Sequence, residues 1–161
     1  MAQVFRVDSV SFRTRWMRTR FPFKYGIASM TELPHVFVVV DGSLGGVNWR
    51  GIASEGLPPK WFSKNPDTSF EEDLPEMLEC IDHAACLAGD TASESLFSAW
   101  RAIHDGQDQW ARAQGVPPLL AHLGTALVER ALIDGFCRVA GLSFAEAVRD
   151  NALGVDLGSL H

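Results

Sequence analysis

The stretch Leu119–Gly141, LLAHLGTALVERALIDGFCRVAG, is the longest uninterrupted helical signal in the chain and the feature that most constrains its fold. Pro117 and Pro118 stand at its entrance, where a missing N–H costs least, and Gly141 stands where a left-handed residue ends a helix. Leu120, Leu123, Leu127, Ile133 and Phe136 are apolar, but so are Leu119, Ala126, Val128, Ala131, Leu132, Cys137 and Val139. The apolar surface therefore exceeds one stripe, and such a helix must be covered on several sides. Arg130, Asp134 and Arg138 recur at helical spacing, which predicts pairing along one narrow polar ridge. Gly124 and Gly135 each cost about 1 kcal/mol against Ala in a helix interior, so another backbone is expected to approach closely at both.

The segments upstream read as a small sheet. Val4 to Arg13 has a noisy period of two and predicts a strand. Thr14 to Leu33 mixes arginines with Trp16, Phe21, Phe23 and Tyr25 and has no sustained period, so it is expected to be a long, functional loop. His35 to Val40, HVFVVV, is the clearest strand. Ser43 to Gly46 supplies a turn, and Val47 to Ala53 returns antiparallel. Ser54 to Thr68, with three prolines and the Trp61-Phe62 pair, is a second irregular segment. The first and third strands of such a meander run in the same direction, so the two aromatic loops should leave the sheet at one end and lie side by side.

Helices follow. Ser69 is a candidate N-cap with Glu71, Glu72 and Asp73 in the first turn, Leu74, Met77, Leu78, Ile81, Ala84 and Ala85 share a face, and Gly89 is the stop. A further helical unit starts at Thr91 or Ser93 and carries Leu96, Phe97, Trp100, Ile103 and Trp110, with Gly106 as an interruption and Gly115 as the stop. Ser143 and Glu146 form a capping box for a last short helix. Beyond Asn151, the apolar residues of ALGVDLGSLH have no assigned cover. The fold class expected is α+β, a three-stranded antiparallel meander packed on a layer of about three to four helices.

The chain has 161 residues, enough for one domain with a real core. No run reaches the roughly 18 apolar residues that span a bilayer, and MAQVFRVDSVSFR lacks the apolar centre of a signal peptide, so a cytoplasmic location without membrane partners is expected. Cys80, Cys86 and Cys137 are odd in number and without framework spacing, which argues for free thiols. Net charge is −6, unevenly spread: residues 1–24 carry six Lys/Arg against one acid, and the remainder eight against nineteen. The basic end suits a carboxylate or phosphate, while overall acidity weighs against nucleic acid.

Catalytic constellations are absent from the pattern. Cys80, His83 and Cys86 are spaced by three, which on a helix sets the outer two about 120° apart around the axis, a poor metal geometry. No nucleophile occupies a Gly-x-Ser-x-Gly turn, and Gly42, Gly45 and Gly46 read as hairpin glycines rather than a phosphate loop. His35, His104 and His122 read as isolated.

The order of these parts, together with RFPFKYGIASMTELPHVFVVV, GIASEGLPPKWF and LLAHLGTALVERALIDGFCR, resembles the amino-terminal capping domain of the enolase superfamily, in its mandelate racemase and muconate lactonizing branch. The resemblance implies a capping domain over residues 1–151, its sheet and two loops in 1–68 and its helical layer in 69–151, with a tail, 152–161, that would lead into a barrel. It implies a parent enzyme that abstracts a proton next to a carboxylate with Mg²⁺ held in a (β/α)₈ barrel. By that resemblance Phe21, Phe23, Lys24, Tyr25 and Gly26 belong to a first specificity loop, and Leu57, Lys60, Trp61 and Phe62 to a second. Phe23, Lys24, Tyr25, Lys60 and Trp61 are the expected substrate-facing residues, and Phe23 and Phe62 the expected packing anchors.

With no barrel before His161, the chain reads as a cap separated from its barrel, with no catalytic residue, no metal ligand and no activity alone. Its expected partners are a barrel domain, a second copy of itself through exposed apolar surface, and a small carboxylate. The alternative is a stand-alone binding or self-associating module that uses the basic aromatic segment 13–26.

Overall fold

The computed structural model describes residues 4–26, 28–89 and 91–160. Strands β1 (Phe5–Tyr25), β2 (Ala28–Leu44) and β3 (Val47–Gly56) form an antiparallel meander, followed by helix α1 (Phe70–Ala88), a short strand β4 (Ala92–Ser93), and helices α2 (Leu96–Gln114), α3 (Pro118–Ala140) and α4 (Phe144–Arg149). The sheet order is β3-β2-β1-β4. It has four strands rather than the expected three, because the α1–α2 connection returns to pair Ser93 with Phe5 and Ala92 with Arg6. Two residues leave no periodic signature in a sequence.

The largest correction concerns Thr14 to Leu33. This is not a loop: β1 and β2 continue as a hairpin, with Arg15 opposite His35, Met17 opposite Leu33 and Phe23 opposite Met30. β3 pairs β2 only between His35 and Leu44, so the rest of the hairpin projects beyond the sheet as a ribbon. Neither face of most of that ribbon is buried, and without a buried face no alternation is imposed on the sequence. Within the sheet proper the alternation is clean, with Val36, Val38 and Val40 fully buried.

Helix α3 is the centre of the molecule. Leu120, Leu127, Val128, Ala131 and Leu132 are buried, and the helix touches β2, β3, α1 and α2. Its glycines do what their cost requires. A Cβ on Gly124 would lie 2.1 Å from the Cys80 carbonyl oxygen of α1, and one on Gly135 would lie 2.2 Å from the Trp49 ring. Across the same contact a Cβ on Gly51 would sit 1.9 Å from the Ala131 carbonyl oxygen, so β3 and α3 meet backbone to backbone. Gly106 does not interrupt α2; the Leu87 side chain of α1 comes within 3.0 Å of where its Cβ would be.

The cap signals hold. Ser69 and Ser143 each close a capping box, with Glu72 and Glu146 respectively. Gly115 and Gly141 end α2 and α3 in left-handed conformation. The tail is better covered than expected: Leu153 is buried in the core and its carbonyl accepts the Phe97 N–H. Leu157 remains exposed. No described helix is long and apolar enough to cross a membrane.

Candidate functional site

At the end of the sheet where β1 and β3 both finish, the hairpin tip and the segment after β3 meet. Strand alternation places Phe23 and Tyr25 on one side of β1 and Lys24 on the other. The Tyr25 hydroxyl donates to the Pro59 carbonyl, tying the tip to the second segment. The Tyr25 ring stands edge-on to Trp61 at 5.7 Å between centroids and tilted against Phe23 at 5.5 Å. Partial burial pushes the Tyr25 phenol above its ordinary pKa, so it stays a neutral donor.

These three aromatics wall a groove of about 670 Å³ whose other side is the entrance of α3, through Leu119, His122, Leu123 and Ala126. Leu33, Met30, Pro58 and Phe62 complete an apolar lining, and the Glu55–Arg130 ion pair, 3.1 Å long, crosses it. His122 is held below the ordinary histidine pKa by burial and by neighbouring His104, with Asp108 opposing, and is therefore neutral at pH 7. Its Nδ1 lies 3.2 Å from the Thr125 hydroxyl. The volume and largely apolar walls suit a small organic ligand, and Arg130, paired with Glu55, is the one Lys or Arg in the lining. A second cavity, about 690 Å³, lies among Phe5, Leu44, Leu96 and Phe136; its lining has one carboxylate, Glu94, and no cation.

Of the five residues expected to face a substrate, Phe23, Tyr25 and Trp61 come together in the groove. Lys24 is exposed on the far side of the strand. Lys60 has another occupation: its ammonium is drawn inward, donating to Asp73 at 2.8 Å and to the Thr68 hydroxyl at 2.7 Å. Lys60 adopts positive φ, +57°, at that bend. Of the two expected anchors, one is in place and one is not. Phe62 packs against the core and Leu57 is fully buried, whereas Phe23 is exposed along the groove edge.

Sequence reasoning missed Glu55, His122 and Arg130. Of the ridge expected along α3, the Asp134–Arg138 pair forms, at 2.9 Å, but Asp134 also accepts the Ile52 N–H at 3.0 Å, and Arg130 pairs with Glu55 rather than with Asp134. His104 and His122 are not isolated; α2 and α3 stack their rings at 4.5 Å. No local pattern links positions so far apart in sequence. Among the described residues no group of three or more His, Cys, Asp or Glu is arranged to hold a metal. The groove's one carboxylate, Glu55, is engaged by Arg130, so its donors do not fit Mg²⁺, which needs oxygen ligands in octahedral array.

No family model matches the chain, and no curated protein does. Solved structures do. An enolase from an alphaproteobacterium, BAL199, crystallised with Mg, is 15% identical with a TM-score of 0.58, over 84% of this chain and 32% of that one. The chain has the enolase amino-terminal-domain-like fold. A mandelate racemase/muconate lactonizing enzyme-like protein from Rubrobacter xylanophilus shares this enolase-like fold at 17% identity and a TM-score of 0.53, over 88% of this chain and 33% of that one. A mandelate racemase/muconate lactonizing protein from Herpetosiphon aurantiacus does so at 13% identity and 0.50, over 83% and 31%. The enolase-like domain thus spans about a third of the length of the solved structures it matches. Identity this low carries the fold and not the chemistry.

Proposed function

We propose that this domain is a specificity cap for a mandelate racemase/muconate lactonizing-type barrel, and that it does no chemistry alone. The observation that carries the reading is the joining of the hairpin tip to the second segment through Tyr25 and Pro59, which makes two sequence-distant segments one aromatic wall. A wall of this kind, open on one side, supplies apolar contact and water exclusion to a substrate whose reacting atoms are held by another domain. Phe23, Tyr25 and Trp61 are the proposed contacts, with Arg130 positioned toward the substrate's acidic end. Proton abstraction next to the carboxylate, and the Mg²⁺ that stabilises the resulting anion, would belong to the barrel.

The test is a titration of the full chain into a barrel-only form of a related enzyme, followed by sedimentation and by turnover of a panel of 2-hydroxy acids with Mg²⁺. Complex formation is expected, with the substrate KM changed by Trp61→Ala. Turnover by the domain alone, or absence of any complex with barrels of this branch, would overturn the proposal.

A further inference from the structure

Among the described residues, the ionisable groups that line the groove are Glu55, Arg130, His122 and Tyr25. Tyr25 is a neutral phenol, and Glu55 and Arg130 offset one another in their ion pair. The net charge of the groove is therefore set by His122. Uncharged, this ring leaves apolar walls around a balanced pair. Protonated, it adds one positive charge to a site that is otherwise aromatic and aliphatic.

The His122 ring does not stand alone. It lies against His104 of α2, with centroids 4.5 Å apart and planes inclined by 9°, and His104 in turn leans on Trp100 at 5.2 Å. Both histidines are half-buried. Charges face the stack from each side. On α2, Asp105 lies 3.3 Å from the His104 Nδ1 and is held by Arg101 at 2.9 Å, and Asp108, which acts on His122, is held by Arg112 at 2.7 Å. On α3, Glu129 lies close enough to His104 for their charges to interact, its carboxyl pushed up by burial, and the Thr125 hydroxyl adjoins the His122 Nδ1. The groove itself contributes Glu55 and Arg130.

Burial, and after it the charge of His104, oppose a proton at His122, with Asp108 favouring one. Two imidazolium rings set face to face repel, and the aspartates beside the stack are already paired with arginines. An anion seated in the groove beside His122 offsets both the burial and the repulsion. The same ring that walls the groove is thus the one whose charge a ligand can stabilise.

We propose that the His104–His122 stack makes the groove a proton-switched site, whose affinity for small organic anions rises when His122 takes up a proton while its affinity for uncharged apolar ligands does not. This rests on the reading of the groove as a ligand site and adds the charge of the ligand it accepts. Binding and protonation are reciprocal. Whatever factor the proton adds to the affinity for an anion, the anion adds to the affinity of His122 for its proton.

Two probes of similar shape separate charge from apolar contact: 8-anilinonaphthalene-1-sulfonate, a permanent anion, and uncharged N-phenyl-1-naphthylamine. Fluorescence titration of the full chain with each, at about pH 7.5 and about pH 5, spans the histidine range. The sulfonate is expected to bind at least about threefold more tightly at the lower pH, and the neutral probe to change by less than about twofold, since one added charge at short range acts on the anion alone. His122→Gln should abolish the tightening; every other titrating group is common to both chains, so the difference belongs to His122. His104→Phe keeps a ring in the stack and removes its charge, so the tightening should begin at higher pH, a gain that misfolding does not produce. In an NMR titration of the His122 ring, saturating sulfonate should move the midpoint to higher pH by the logarithm of the affinity ratio. Trp61→Ala should weaken both probes, which places them in the groove. If neither probe binds, or if Trp61→Ala leaves both unaffected, the groove is no ligand site, and the switch falls together with the reading it rests on. If both bind there but the sulfonate gains nothing at low pH, or its gain survives His122→Gln, the switch alone is overturned.

Discussion

Lys60 and Asp73 form an inward ion pair, Nζ to Oδ2 at 2.8 Å, with side chains only 12% and 5% exposed. The pair staples the segment after β3 to the first turn of α1, and the Thr68 hydroxyl donates to the other Asp73 oxygen at 2.7 Å. Burial alone would raise the Asp73 pKa, but the hydrogen bonds from Lys60 and Thr68 and the Lys60 charge outweigh it and hold the carboxyl below the usual range.

Breaking this pair from one side should be costly. Asp73→Ala leaves a largely buried ammonium without its partner and is expected to destabilise the fold by about 3 kcal/mol in urea unfolding, whereas Lys60→Met with Asp73→Leu should cost much less. The pH dependence has a fixed sign. A depressed folded pKa means the stabilisation is complete above the unfolded aspartate value, about 3.9, and is lost as pH falls below it through the folded value. Unfolding free energy should therefore decline below about pH 4, and the decline attributable to this site should vanish in the double variant.

Gly51→Ala and Gly124→Ala should each lower stability by roughly 2–3 kcal/mol, because the added methyl meets a backbone carbonyl that cannot rotate away. Gly46→Ala meets no atom and adds only the strain of its positive φ, so it should cost less. Thermal unfolding of the three variants side by side checks the order.

Gln107 is fully buried on α2, and its side-chain amide donates to the carbonyls of Cys80 on α1 and Ala121 on α3, at 3.0 and 2.9 Å. That fixes the amide orientation, so Oε1 faces His83 and the His83 Nδ1, 2.7 Å away, carries the proton. Gln107→Leu strands those groups without partners and is expected to cost about 2–3 kcal/mol. The nitrogen chemical shifts of the His83 ring should report the Nδ1–H tautomer in the wild-type chain.

The three thiols should differ in reactivity. Cys80 is buried and burial, with Glu76 and Glu79 nearby, pushes its pKa up to about 12, while Cys86 is exposed. Iodoacetamide at pH 8 should modify Cys86 first and leave Cys80 untouched until the chain unfolds, because only the accessible thiolate reacts. Peptide mapping at successive times gives the order.

Much of the helical layer was legible because its signals are local. Ser69 with Glu72, Ser143 with Glu146, and the glycines at 115 and 141 act within a few residues of themselves. The glycines of α3 were legible as close approaches because their cost demanded a reason, though not which backbone approached. The ribbon was illegible for the opposite cause. Cross-strand hydrogen bonds, not burial, hold Arg15 to His35, and backbone pairing writes little into side-chain identity. In the groove, the aromatics could be located from their segments, but the turning inward of Lys60 depends on Asp73 thirteen positions away, and Arg130 on a partner in another strand.

The cover that α3 provides over β2 and β3 also sets an order of events on the ribosome. The three meander strands are complete at Gly56, yet Val36, Val38 and Val40 have no central helix against them until α3, beginning at Pro118, starts to emerge. At about 5–20 residues per second that interval is roughly 3–12 s. During it the nascent hairpin has one apolar face uncovered, and the arginines along its far stretch keep that growing sheet from meeting another like it.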